Sequence, residues 1–232
     1  DEPYYSESDV KTMRAVRGIT AMGMSVDAVR EINRVLGGAL PQLPVAVKGP
    51  EQTMQMLFTS GTTGDPKAIL ANYLRFVTVG SIAPLIGWTE RDCFYTGLSL
   101  THANAQLITL GNVLTLGARG VFSRRFTKSR LWDITRRYGC TLFNLLGGMT
   151  TAVYAEPHRP DEAGNPGRLV LSAGMPAAIW EGVSRRFGVR IVEFYGATEG
   201  NVAMMNLDNK LGSVGRIPSK LLMDARVVRY DV

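Results

Sequence analysis

Hydrophobic positions recur along the chain with two different periods, one typical of helices and one typical of strands. Over residues 25–36 apolar side chains are spaced as on one face of a helix, and Gly37–Gly38 follows them. The stretch "ALPQLPVAVKGP" then contains three prolines, which predicts a connector. We therefore predict a helical N-terminal segment and connector over residues 1–50 and a core domain over residues 51–232.

Beyond the connector, the pattern predicts a strand, a loop and a helix in direct succession. Met54, Met56 and Phe58 alternate with polar or smaller residues as in a strand. The polar stretch "TSGTTGDPK" follows at once, and from Leu70 to Ser81 the helical spacing returns. The glycines and the proline in the polar stretch mark it as the loop.

The remainder of the chain continues to alternate between predicted strands and helices. Four further strands are predicted, in "ARGVFS", "CTLFNLL", "RLVLS" and "VRIVEFY". Helices are predicted over Ser129–Tyr138 and Thr150–Ala155, and a third is predicted to begin at Pro176 and end at Gly188. Strands separated by helices predict an α/β fold, a layered sandwich built on a mainly parallel sheet.

Composition excludes several classes of protein. The chain has 232 residues, of which 45% are hydrophobic and 20% are charged, values typical of a globular protein rather than of a disordered, collagenous or coiled-coil chain. The net charge of +6 would suit anionic small molecules, nucleic acid or an acidic membrane surface. Its arginines are scattered without interleaved aromatic residues, so a nucleic-acid partner is not predicted.

Cysteine content and hydropathy bear on the cellular setting. Cys93 and Cys140 have no paired spacing, which favours a reduced, cytoplasmic setting over a disulfide scaffold. The acidic start "DEPYYSESDVK" does not have the pattern of a signal peptide. The apolar stretch "AILANYLRFVTVGSIAPLIGW" is interrupted by Arg75 and Pro84, so we interpret it as a core element rather than a membrane span. Peripheral membrane association remains an open alternative.

The loop in "FTSGTTGDPK" has the composition of a phosphate-binding loop. Glycines let the backbone turn tightly, hydroxyl and amide groups donate hydrogen bonds, and Lys67 adds a mobile positive charge. The pattern G-x-x-x-x-G-K-[ST] of nucleoside triphosphatases fails, because Pro66 and Ala68 stand at its deciding positions. A simple polar turn is the alternative, and these residues alone leave both interpretations open. A serine hydrolase is not predicted, since no G-x-S-x-G occurs.

Four motifs in this order resemble those of the adenylate-forming superfamily, the AMP-dependent synthetases and ligases. "FTSGTTGDPK" is similar to its phosphate-loop signature, and "EFYGATEGN" to its second signature. "LSLTHANAQ" resembles the motif with a histidine near the substrate carboxylate, and "SAGMP" resembles the adenine loop. The form "EFYGATEGN" followed by "GSVGR" is most similar to the branch of very-long-chain acyl-CoA synthetases and fatty acid transport proteins.

The resemblance implies a function and a set of site residues. The implied reaction is the ATP-dependent activation of a carboxylic acid, in this branch a fatty acid, to an acyl-adenylate, with transfer to coenzyme A. Lys67, His102, Thr198 and Glu199 are the implied catalytic residues, and Glu199 is the implied ligand of Mg²⁺. The implied nucleotide-binding residues are Thr59, Ser60, Gly61, Thr62, Thr63, Gly64, Lys67, Gly174, Met175, Pro176, Glu193, Phe194, Tyr195, Gly196, Ala197 and Thr198.

Other parts of the family's pattern have no counterpart in this sequence. The ribose-binding aspartate motif, the hinge and the small C-terminal domain with its catalytic lysine would all follow Val232. We therefore expect the chain to be a fragment of the large N-terminal domain, with full activity needing the C-terminal domain. Two alternatives stay open: transfer to the thiol of a carrier protein, and a nucleotide-binding module without activity.

Overall fold

The computed structural model describes residues 49–59, 67–200, 202–217 and 229. The chain divides into two units after Lys48, and every described residue belongs to the second unit. The helix predicted over residues 25–36 lies outside the described residues, as does most of the predicted phosphate loop.

A two-stranded antiparallel sheet begins the described part. Strand β1 spans Thr53–Thr59 and strand β2 spans Lys67–Asn72, with Met56 opposite Leu70. The strand predicted from alternation is therefore confirmed. Its alternating side chains do not face a core, however, because Met56 is 59% exposed while its neighbour Leu57 is buried.

The helix predicted to follow the loop begins later than expected. Helix α1 spans Tyr73–Gly80, and the residues from Lys67 onward first form β2 because their backbone groups pair with those of β1. Asn72 sets the boundary: its side-chain oxygen accepts the backbone N–H of Arg75 at 2.9 Å. The prediction of a helix starting near Leu70 was wrong because that spacing also fits a short strand followed by a helix.

The larger sheet has six strands and confirms the predicted α/β class. Its order is β4-β3-β5-β6-β7-β8; the pairs from β4 to β7 are parallel, and β8 is antiparallel to β7. The strands are β3 (Cys93–Thr96), β4 (Arg119–Phe122), β5 (Leu142–Leu146), β6 (Leu169–Ala173), β7 (Arg190–Gly196) and β8 (Ala203–Met205). The sequence pattern predicted β4 to β7 and missed β3 and β8.

Helices alternate with these strands. They are α2 (Ala83–Ile86), a π-helical segment (Asn104–Leu110), α3 (Gly111–Leu116), α4 (Leu131–Tyr138), α5 (Gly147–Tyr154) and α6 (Trp180–Phe187), with 3-10 turns at Lys128–Arg130, Glu162–Gly164 and Ala177–Ile179. The predicted end of α6 at Gly188 is confirmed by its left-handed φ of 66°. Its predicted start at Pro176 was early, since a 3-10 turn precedes the helix.

Both faces of the large sheet are buried at its central strands, β3, β5 and β6. Along β5, Phe143 and Leu145 pack with α4, α5 and α6, whereas Leu142 packs on the other side with α2 and α3. Alternate residues of a strand point to opposite faces, so a run of buried apolar residues is expected where helices cover both. Among the described residues no helix is both long and apolar enough to cross a bilayer.

Candidate nucleotide- and acid-binding site

A cavity of about 400 Å³ lies where the motifs predicted from sequence meet. It brings together Thr59 of the first signature, His102 of the histidine motif and Thr198 of the second signature. The full lining is Leu57, Phe58, Thr59, Leu98, Ser99, Thr101, His102, Ala103 and Thr198. Three of the residues predicted from sequence therefore line one cavity, whereas Lys67 and Glu199 are not among its lining residues.

The position of the cavity follows from the topology of the sheet. β3 ends at Thr96 and is followed by the 98–103 segment, while β7 ends at Gly196 and is followed by Thr198. Because β3 and β7 belong to the same parallel array, their carboxyl ends lie at one edge of the sheet. Ligands of open α/β sheets bind at this edge.

The predicted phosphate loop is described at its two ends. Thr59 and Lys67 face each other as the last pair of the β1–β2 ladder, and the Lys67 side chain is exposed. Ser60, Gly61, Thr62, Thr63 and Gly64 lie outside the described residues. Lys67 begins strand β2, so a helix does not follow this loop directly, and the predicted order of strand, loop and helix is corrected at this point.

The residues of the second signature become more exposed to solvent towards the end of β7. Glu193 is buried, Phe194 is half-buried, and Tyr195 and Gly196 at the end of the strand are exposed. Ala197 and Thr198 are half-buried and Glu199 is exposed. The ring of Tyr195 is therefore accessible to a planar ligand, and the carboxylate of Glu199 is accessible to a cation.

The carboxylate of Glu193 holds the predicted adenine loop. Its oxygens accept the backbone N–H of Gly174 at 2.5 Å and that of Met175 at 3.1 Å. Burial raises the pKa of the Glu193 carboxyl above its ordinary value, and these two N–H donors oppose the rise. With 3% of its surface exposed, the side chain acts on the loop rather than on a ligand.

The backbone of the adenine loop makes a close approach to helix α5. Gly174 has a φ of 85°, a left-handed conformation that favours glycine, and Pro176 follows it half-buried. A Cβ atom on Gly147, the first residue of α5, would overlap the carbonyl oxygen of Gly174. The loop therefore has little freedom to move towards α5.

The ring of His102 is exposed and its orientation is set by the backbone. The N–H of Asn104 donates to Nδ1 of His102 at 3.1 Å. A neutral imidazole that accepts at Nδ1 carries its proton on Nε2, so it offers a hydrogen-bond donor at that nitrogen. This is the form suited to binding a carboxylate oxygen.

A buried amide pair lies beneath this histidine and was not found from the sequence. The Asn144 amide on β5 donates to the side-chain oxygens of Asn104 and Thr109, each at 2.6 Å. Asn104 begins the π-helical segment, a type of helix often found at functional sites. The signal available was an asparagine in the middle of the apolar run "CTLFNLL".

Arg75 is a second residue that the sequence reasoning did not assign to the site. Its guanidinium donates to the carbonyl oxygen of Ala197 at 3.2 Å, which links α1 to the second signature. The available signal was a charged residue inside an otherwise apolar stretch, the feature that argued against a membrane span.

Comparison with known proteins agrees with this site. The AMP-binding enzyme family matches residues 6–228. The chain is 35% identical over 185 residues to long-chain fatty acid transport protein 6 of Mus musculus, covering 78% of this chain and 30% of that protein. It is 30% identical over 237 residues to long-chain fatty acid transport protein 3 of Homo sapiens, covering 97% of this chain and 35% of that protein. The chain thus spans about a third of the length of these relatives.

Solved structures give the same result. O-succinylbenzoate coenzyme A synthetase from Bacillus subtilis, in complex with AMP, is 27% identical with a TM-score of 0.61, over 73% of this chain and 36% of that chain. A benzoate CoA ligase from Burkholderia xenovorans LB400 is 21% identical with a TM-score of 0.69, over 80% of this chain and 38% of that chain, and shows a shared fold. The family predicted from the four motifs is therefore confirmed, and this chain belongs to the AMP-binding enzyme family of adenylate-forming ligases.

Proposed function

We propose that the complete protein containing this chain activates a carboxylic acid with ATP to an acyl-adenylate and transfers the acyl group to coenzyme A. The observation that carries the proposal is the cavity that Thr59, His102 and Thr198 line together. One segment there is suited to phosphates and another to a carboxylate. Adenylation needs both groups at one place, because the carboxylate attacks the α-phosphate.

The phosphates would be held between the two signatures. Lys67, at the end of the predicted loop, supplies an exposed positive charge for the β- and γ-phosphates that leave as pyrophosphate. Thr198 supplies a hydroxyl within the cavity for the α-phosphate. These groups would stabilise negative charge as it develops in the transfer step.

The base would lie between the adenine loop and the end of β7. The exposed ring of Tyr195 offers a stacking surface, and the backbone of Gly174, Met175 and Pro176 offers an edge. Because Glu193 accepts the backbone N–H groups of Gly174 and Met175, this part of the proposed site would not need a nucleotide to hold its shape.

The donor set fits Mg²⁺ held mainly by the nucleotide. Among the described residues there is no group of three or more His, Cys, Asp or Glu side chains that could hold a metal ion, and Glu199 is an exposed carboxylate next to Thr198. Mg²⁺ commonly binds through one or two carboxylates and completes its shell with phosphate oxygens and water. When bound, the cation would neutralise charge on the phosphates.

The acid would approach from the side of His102. The Nε2–H of its neutral form is a donor for a carboxylate oxygen, and Ser99 and Thr101 add hydroxyl groups to the same wall. Gly196 is exposed at the end of β7 and, without a side chain, would leave space there for the acyl chain to pass. The names of the relatives support a long-chain fatty acid, and this specificity is part of the proposal.

The proposal is tested by pyrophosphate release from the complete protein with ATP, Mg²⁺ and a panel of acids from acetate to very-long-chain fatty acids. We expect release with fatty acids and, after addition of coenzyme A, a thioester. A carrier-protein thiol is offered in a parallel reaction, and preference for it would replace coenzyme A as the acceptor. If no acid causes pyrophosphate release although the protein still binds ATP, the protein is a nucleotide-binding module without this activity.

A matched pair of threonine variants locates the activity. Thr198→Val removes the hydroxyl in the cavity and should lower the rate of release by about 10²-fold, the effect of losing one donor to a transition-state oxyanion. Thr78→Val changes an exposed threonine on α1 and should leave the rate unchanged. Equal rates of pyrophosphate release in the two variants would show that the cavity is not the site of the reaction.

A further inference from the structure

Arg75 on α1 contacts the second signature, although Arg75 itself belongs to neither signature. It lies in the first turn of α1, and α1 directly follows the strand that begins at Lys67. Its guanidinium donates to the carbonyl oxygen of Ala197 at 3.2 Å, so the side chain links α1 to the second signature. A Cβ atom on Gly200 would lie 3.0 Å from Cζ of Arg75, which places the guanidinium against the far end of the same turn.

The contact brackets the two functional side chains of the second signature. Ala197 and Gly200 stand immediately before and after Thr198 and Glu199. Gly200 has a φ of 87°, so the turn reverses there in a left-handed conformation. A planar guanidinium that donates to one end and packs against the other restricts where the hydroxyl and the carboxylate between them can lie.

Charge adds a second relation between Arg75 and this turn. Arg75 is half-buried, and burial lowers the pKa of its guanidinium, while attraction to the carboxylate of Glu199 opposes this fall. The positive charge of Arg75 also acts on ligands: it repels a cation that approaches Glu199.

Local structure alone does not require an arginine at this position. The part of Arg75 that belongs to the helix is its backbone N–H, which binds the capping Asn72. The neighbouring positions Leu74 and Val77 are exposed, so the buried side of α1 does not depend on the guanidinium. The long-range hydrogen bond is the feature that distinguishes Arg75 from an ordinary helix residue.

We propose that Arg75 is a positioning residue for the Thr198–Glu199 turn: it fixes the turn through the Ala197 carbonyl and offsets the charge of Glu199 when no cation is bound. The inference rests on the proposed function for its effect on catalysis, but its effect on cation binding can be measured without any reaction. The two effects have opposite signs. Loss of the guanidinium slows adenylation, whereas it strengthens the attraction of Glu199 for a divalent cation.

The experiment compares three variants of the complete protein. Arg75→Met keeps a stem of similar length without the charge, and Arg75→Lys keeps the charge without the planar donor group. Arg91→Met is the control, since the Arg91 side chain is 91% exposed and lies away from the cavity lining. Circular dichroism and a thermal midpoint for each variant establish that it is folded.

Two measurements are made on each folded variant. The first is the rate of exchange of pyrophosphate into ATP with a fatty acid present. The second is the affinity for Mn²⁺ without nucleotide, measured by water-proton relaxation after subtraction of the signal that remains in Glu199→Gln. For Arg75→Met we expect about 10-fold slower exchange and Mn²⁺ binding tighter by about 3- to 10-fold, the factor that corresponds to removing one nearby positive charge.

The other results either support the proposal or overturn it. Arg75→Lys should bind Mn²⁺ like the unmodified protein and exchange more slowly, and Arg91→Met should match the unmodified protein in both measurements. Unchanged or weaker Mn²⁺ binding in Arg75→Met overturns the proposal, because it reduces Arg75 to a structural contact. If the unmodified protein shows no exchange, the proposed function fails, and the Mn²⁺ comparison still decides the role of Arg75.

Discussion

Glu193 and Glu199 are the two carboxylates of one signature, yet the structure gives them opposite surroundings. Glu193 is buried and accepts hydrogen bonds from the backbone of Gly174 and Met175. Glu199 is exposed, with the guanidinium of Arg75 nearby. The first carboxylate builds part of the site from the protein's own groups, and the second presents charge to whatever enters. Substitutions should therefore affect stability at the first and chemistry at the second.

The largest expected effect is on chemistry, at the exposed side of the site. Lys67→Ala should lower the rate of adenylation by about 10³-fold, because it removes the charge that the proposal assigns to the departing phosphates. Its exposed side chain predicts an unchanged free energy of unfolding. The rate is followed by pyrophosphate exchange, with Lys210→Ala as the control at another exposed lysine. Full activity of the Lys67→Ala variant would show that the lysine of the first signature does not act in adenylation.

The largest expected effect on stability is at the buried side. Glu193→Ala leaves the N–H groups of Gly174 and Met175 without their acceptor, which should lower the free energy of unfolding by about 2–4 kcal/mol. Urea denaturation measures the loss, and Glu90→Ala, at a side chain that is 67% exposed, is the control. If the two variants are equally stable, Glu193 does not hold the adenine loop.

The buried amide pair should have an intermediate effect that is specific to the acid. Asn144→Leu removes the donor to Asn104, whose backbone N–H orients His102. We expect the KM for the acid to rise by about 10-fold with the KM for ATP unchanged, consistent with the loss of one charge-assisted hydrogen bond. Asn144→Gln, which keeps an amide, should lose less. A parallel rise in both KM values would contradict a role that acts through His102.

The smallest expected effect is on the pH dependence of stability, where two buried carboxylates should act with opposite sign. Burial raises the pKa of Glu193, so its contribution favours folding below the ordinary value of about 4.3 and is lost as the pH rises through the raised value. A hydrogen bond from Arg186 lowers the pKa of Glu162, so its contribution is present above the ordinary value and is lost as the pH falls through the lowered value.

Urea denaturation across the acidic range separates these two contributions. In the unmodified protein, Glu193 should make the free energy of unfolding fall as the pH rises above ~4.3, and Glu193→Gln should abolish that fall. Glu162 should make it fall as the pH drops below ~4.3, and Glu162→Gln should abolish that fall. Variants with the same pH profile as the unmodified protein would show that neither carboxylate differs in pKa between the folded and unfolded chain.

Much of the fold could be predicted because its strands and helices carry strong local patterns. The buried strands in "CTLFNLL" and "VRIVEFY" are long enough to recognise, and Gly188 marks the end of α6. β3 was missed because "CFYT" is short and is buried on both faces, so it shows no alternation. The end of β2, from Leu70 onward, was assigned to a helix because the spacing there fits either element, and pairing with β1 decides it.

Some residues of the site could likewise be predicted from local motifs, whereas others depend on contacts between distant parts of the sequence. Thr59, His102 and Thr198, which line one cavity, were among the predicted site residues because the motifs that contain them resemble those of the family. Arg75 and Asn144 were missed because their partners, Ala197 and Asn104, are far away in sequence. Only the fold shows that these pairs meet, so a local pattern could not reveal them.

The most direct test of the account is whether one ATP molecule protects both signatures from chemical modification. A cysteine is introduced in the complete protein at Phe58 or at Thr198, two positions that line the cavity, while Cys93 and Cys140 are buried. The rate of reaction with a thiol reagent is then measured against ATP concentration. The account predicts protection of both positions with the same half-saturating concentration. Protection of only one position, or of neither while ATP is bound, would contradict it.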